Sequence, residues 1–126
     1  MEEVPSALRK WFVFHFWADY VFAVPLMLAP EWFMGLLGWE CVDPVASRLV
    51  AAALFGIGGE SLLGRNGDAE SFRTMLRMKV IWSSSATVGI GLGMFSGAPP
   101  AGWLFFGIFL GFNLLWTRWW LRMRSS

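Results

Sequence analysis

The apolar positions of this chain fall into four long runs separated by short polar punctuation, over residues 11–29, 44–63, 72–95 and 103–120. Each run has about the 20 residues that a helix needs to cross a hydrocarbon core of roughly 30 Å. The pattern predicts an all-α fold, a polytopic four-helix transmembrane bundle occupying residues 1–126 as one membrane domain. Between the first two runs, Pro30-Glu-Trp-Phe-Met-Gly-Leu-Leu-Gly38 has proline at a first turn and glycine at a stop. It is too short to cross a bilayer and predicts a brief interfacial helix. Asp43-Pro44 reads as the N-cap and first residue of the second span, and Asp68 as the cap of the third. The turn between those spans, residues 64–71, contains Asn66-Gly67, a strong turn dipeptide.

Composition moves the reading in the same direction. The chain is 56% hydrophobic and 17% aromatic but only 15% charged, with 9 Trp and 14 Gly. Trp anchors helices at headgroup level, and Gly is commoner in spanning helices than in soluble ones. A net charge of +1 gives no field for nucleic acid. The single cysteine, Cys41, allows neither an intramolecular disulfide nor a cysteine-based zinc site and reads as a loop thiol. The acidic start and the long aromatic first run do not fit a cleavable leader, so the first span is expected to be its own signal anchor.

The distribution of basic residues predicts the topology. Arg9 and Lys10 precede the first span, Arg65, Arg73, Arg77 and Lys79 surround the middle turn, and Arg118, Arg122 and Arg124 close the fourth. Only Arg48 is left for the other side. The positive-inside rule then puts both termini in the cytoplasm of a cell-membrane protein.

Polar residues within the runs mark the candidate site, because lipid tolerates them only paired, hydrated or snorkelled. His15 and Asp19 share one face of the first helix by their four-residue spacing. Arg48 and Glu60 lie on the second, and Lys79, Ser83 and Thr87 form a polar stripe on the third. Counted at about 1.5 Å per residue, His15, Glu60, Lys79 and Asn113 reach similar depth, with Asp19 nearer the middle. Glu60 and Lys79 flank the turn at similar distances and are expected to pair. Arg48 is about 18 Å from Glu60 along the axis and is expected at the outer surface or turned toward Asp19. Trp17 and Trp82 fall inside the spans, away from the aromatic belts, and are expected to wall a small apolar pocket. The ligand-binding set is therefore His15, Trp17, Asp19, Glu60, Lys79, Trp82 and Asn113, with no catalytic constellation and no metal site.

The bland reading of the same residues is structural: Glu60 and Lys79 neutralise each other while His15 and Asp19 tie the first helix to its neighbours. A haem reading would rest on His15 with a methionine partner, but methionines in so apolar a chain are packing residues. Gly89, Gly93 and Gly97 recur every fourth residue, as do Gly107 and Gly111, the small-xxx-small spacing that lets helices approach closely. Packing inside one bundle is the expected use, and a homodimer face the alternative.

The run Leu28-Ala-Pro30, then Leu36-Leu-Gly38, then Asp43-Pro44 with Arg48-Leu49 and Gly56, resembles the first half of the small four-helix DoxX-like membrane proteins. The resemblance covers residues 28–60 and implies an α-helical four-span fold. It also implies a link to quinone-related redox chemistry, with no site residue carried over. Small multidrug transporters share the size and span count, but this chain lacks their first-span glutamate, for which Asp19 would substitute. The expected function is a membrane protein whose inner polar layer binds a small apolar or amphiphilic ligand. The alternatives are a dimeric proton-coupled transporter and an accessory subunit of a larger membrane complex.

Overall fold

The computed structural model describes residues 3–124, and among these the chain is all-α, with five helices and no strand. They are α1 (Ser6–Leu28), α2 (Pro30–Leu36), α3 (Pro44–Leu63), α4 (Ala69–Met94) and α5 (Ala101–Arg124). The short α2 lies where an interfacial helix was expected, with Pro30 in its first turn. Its stop is a left-handed glycine, Gly38 at φ 106°, a conformation that glycine adopts without the steric cost of a Cβ.

The caps follow the sequence closely. The Asp43 carboxylate accepts from the amides of Val45 (2.9 Å) and Ala46 (3.2 Å), opening α3 at Pro44. Asp68 accepts from the Ser71 amide at 2.8 Å and opens α4. That bond holds the Asp68 carboxyl below its ordinary value. α1 begins at Ser6, ahead of the apolar run that opens at residue 11, and Leu8 and Phe12 continue its buried stripe toward the N-terminus.

Three helices, α1, α3 and α5, are long and apolar enough to cross a membrane. The count differs from the expected four. α4 is the longest helix at 26 residues, but Glu70, Arg73, Arg77 and Lys79 occupy its first half and Ser83, Ser84, Ser85 and Thr87 its second. Its length suits a span while its apolarity falls short. Large apolar side chains stand exposed on the long helices, among them Val21, Leu49, Leu63, Ile81, Leu92 and Leu114. Their number is consistent with a membrane protein, since soluble proteins seldom leave such continuous apolar surface uncovered.

Two compact units divide the described residues: Pro5–Asn66, and 67–124 together with Glu3 and Val4. In the first, α1 packs on α3 and α2 touches both. The buried positions of α1, Leu8, Phe12, His15, Asp19, Ala23 and Leu26, recur at three or four residues and form one stripe. α3 answers with Ala51, Leu54, Gly58 and Ser61 at the same spacing. In the second unit α4 packs on α5, burying Phe72, Met75, Leu76, Lys79 and Ser83 on one helix and Trp116, Trp119 and Met123 on the other.

The recurring glycines do not serve this packing. A Cβ built at Gly89, Gly93, Gly97, Gly107 or Gly111 would meet nothing within 4 Å. Close packing of those positions is therefore not part of the α4–α5 contact. Gly97 is not helical at all: with φ 91° it lies beyond the end of α4, where Ala98 donates back to the Gly93 carbonyl at 3.4 Å. The glycines that admit a neighbour in this unit are Gly91, facing the Phe106 ring, and Gly102, facing the Met94 thioether.

Candidate functional site

Each unit encloses a polar cluster of its own. In the first, the period of α1 carries His15 and Asp19 into the buried stripe, where their side chains are 4% and 9% exposed. His15 Nε2 lies 3.3 Å from Asp19 Oδ1. Across the interface, Ser61 Oγ of α3 is 3.4 Å from His15 Nδ1, and the Ser61 hydroxyl donates to the Ile57 carbonyl at 3.0 Å. The other carboxylate oxygen, Asp19 Oδ2, is buried and has no hydrogen-bond partner among the described residues.

Close approach at this level depends on Gly58. A Cβ there would stand 2.8 Å from the Asp19 Cβ and 3.2 Å from Asp19 Oδ2, nearer than side-chain atoms normally come. One residue on, the Tyr20 hydroxyl donates to the Phe55 carbonyl at 3.1 Å, and its ring meets Phe55 edge-on at 4.9 Å between centroids. Sequence reasoning missed Ser61, Gly58 and Tyr20. The one available signal was that Gly58 and Ser61 continue the three- and four-residue spacing of Ala51 and Leu54.

Arg48 does not turn toward Asp19. Its Nε donates to the Met27 carbonyl at 2.9 Å, satisfying an acceptor that the end of α1 leaves open. Glu60 is exposed, and its backbone carbonyl accepts from Gly64 at 2.7 Å in closing α3. Trp17 is 60% exposed on the side of α1 away from the His15–Asp19 stripe, stacking edge-on against Phe16.

In the second unit Lys79 is 1% exposed, with its ammonium 4.7 Å from the centre of the Trp116 ring. The quadrupole of an indole face attracts a cation, more strongly where water is excluded. Asn113 of α5 reaches α4 beside it, its amide group donating to Ser84 Oγ (2.7 Å), Ser83 Oγ (3.0 Å) and, more distantly, the Val80 carbonyl (3.4 Å). Trp82 is half-buried against Phe109, ring centres 6.0 Å apart. The expected site residues therefore fall into His15 with Asp19 in one cluster and Lys79 with Asn113 in the other. Among the described residues no group of three or more His, Cys, Asp or Glu side chains is placed to hold a metal ion. No family model, curated protein or solved structure matches this chain.

Proposed function

We propose that the protein is a four-span integral protein of the cell membrane, with both termini cytoplasmic, that binds a small amphiphilic molecule through Asp19. The observation that carries this reading is the buried, partnerless Asp19 Oδ2 in a helix long enough and apolar enough to cross a membrane. An acceptor left without a donor in such surroundings is costly, and a ligand N–H or O–H directed at Oδ2 would remove that cost. The apolar remainder of the ligand would lie against the lipid-facing side chains.

Spanning by α4 is supported by its hydroxyl groups. Ser83 donates to the Lys79 carbonyl (2.7 Å), Ser85 to Ile81 (2.8 Å) and Thr87 to Ser83 (2.6 Å). A hydroxyl bonded to its own helix exposes little polarity, so α4 costs less in lipid than its residue types imply. The test is mass spectrometry of small molecules retained after mild-detergent purification, comparing wild type with Asp19→Asn. The expected result is a donor-bearing amphiphile on the wild type and its loss from a variant that melts at the same temperature. Equal retention by both proteins, or none by either, would overturn the proposal.

A second reading, a dimeric proton-coupled transporter, is favoured by the buried approach of His15 to Asp19 at 3.3 Å and by the open faces of Gly89, Gly93, Gly107 and Gly111. It requires proton-dependent flux in liposomes, lost when Gly93 and Gly111 are both replaced by leucine.

A further inference from the structure

The end of the second unit where α4 begins and α5 finishes gathers Arg73, Arg77, Arg118, Arg122 and Arg124. Arg73 Nη1 donates to the Met123 carbonyl at 3.3 Å, which fixes the register of the two antiparallel helices there. The arginines consequently form two tiers. Arg73 lies with Arg122 and Arg124, and Arg77 with Arg118 one helical turn further in, about 6 Å along the axis.

Beyond the inner tier, α5 carries no ionisable residue from Thr117 back to Ala101, about 25 Å of helix. That length is close to a hydrocarbon core of roughly 30 Å, and the headgroup layer on each side adds about 5–8 Å. The arginine band has the height of that layer. Two indole rings hold it there: the Arg122 guanidinium sits 4.8 Å from the Trp119 ring centre, and that of Arg124 sits 5.1 Å from Trp120. Indole rings favour the headgroup depth, and the cation–π contact engages the guanidinium through its charge.

Acidic residues in this unit do not balance the band. Among the described residues of this unit the carboxylates are Glu3, Asp68 and Glu70, fewer than the five arginines of the band, and Asp68 is committed to capping α4. Arg77, Arg118 and Arg124 are exposed, and among the described residues no carboxylate of the unit pairs with them.

We infer that this two-tier arginine band binds the headgroups of anionic phospholipids, with the guanidinium groups on the lipid phosphates. The guanidinium fork matches the oxygens of a phosphate, and a net negative headgroup is preferred because a zwitterionic one brings a compensating ammonium into the same band. The inference rests on the reading that α4 and α5 cross a bilayer.

The test uses the full chain in a neutral detergent, with native mass spectrometry after addition of phosphatidylglycerol, of phosphatidylcholine with the same acyl chains, or of glycerol phosphate. The wild type is expected to retain phosphatidylglycerol preferentially, and raised salt should weaken the retention. Removing Arg77, Arg118 and Arg124 together as glutamines should lower affinity by about fivefold per arginine while the melting temperature holds. Should the triple variant melt early, the single variant Arg118→Gln, exposed and without a structural partner, carries the same comparison. Equal retention of the two lipids, unchanged affinity in the variants, or glycerol phosphate competing as well as the lipid would each overturn the inference. Alkaline extraction of native membranes separates this failure from that of the underlying reading. A chain released by alkali is not integral and sinks both, whereas a retained chain without headgroup preference sinks only the arginine band.

Discussion

Gly58 determines how near α1 can come to α3, and its effect is measurable one atom at a time. Gly58→Ala introduces a Cβ 2.8 Å from that of Asp19, and neither atom is the flexible end of a side chain. The helices must separate, at an expected loss of about 1–3 kcal/mol. Gly89→Ala is the matched control, since its Cβ would enter open space. With helix propensity alone in play, it should raise stability by up to about 1 kcal/mol. Thermal melts of both variants in one detergent check the contrast, and equal melting temperatures would refute the close approach at Asp19. That His15 and Asp19 share a face was legible from their spacing. The involvement of Ser61, Gly58 and Tyr20 was not, because spacing along one helix says nothing about how a second is rotated against it. Which of its two expected places Arg48 takes was not legible for a related reason: its acceptor is the backbone carbonyl of Met27, and backbone groups are alike in every sequence.

The helices themselves were mostly legible, since their ends depend on local chemistry. Asp43 before Pro44, Asp68 three residues before Ser71, and a left-handed glycine at 38 act through hydrogen bonds spanning a few residues. What the glycine repeat faces was not legible, because periodicity gives a spacing while the side on which a neighbour stands comes from the packing. Asp68 gives α4 a pH dependence. Its carboxyl is held below the ordinary value of 3.8, first by the Ser71 amide and further by the Ser71 hydroxyl, against a small opposing effect of desolvation. A depressed carboxyl contributes its full stabilisation above the unfolded value and loses it as the pH falls through the lower folded one. Amide exchange in the first turn of α4 should thus be protected at pH 5 and lose protection progressively in acid below 3.8. Asp68→Asn should make that protection nearly independent of pH. An unchanged profile in the variant would assign the effect to Glu70 or to another group.

For the molecule as a whole, the one-sided basic residues predict which ends of the helices share a compartment. An impermeant thiol reagent on intact cells should label Cys41, which is exposed in the segment ahead of α3. A cysteine at Asn66, in a variant lacking Cys41, should react only after permeabilisation. Reaction of both sites in intact cells would contradict four spans, and with them the spanning of α4 that its hydroxyl bonds support. The partition of the chain near Asn66 also bears on how the protein is made. On its own, α1 would present His15 and Asp19 to lipid, because Ser61 and the backbone of Gly58 that cover them belong to α3. Ser61 leaves the ribosome 46 residues after His15. On the proposed membrane reading, the nascent first helix is expected to be retained beside the insertion machinery until α3 has emerged, and the smallest piece that can enter lipid with its polar groups covered is the α1–α3 hairpin. The bonds from Asn113 to Ser83 and Ser84 lie entirely within the later hairpin, which can be released as a second cargo.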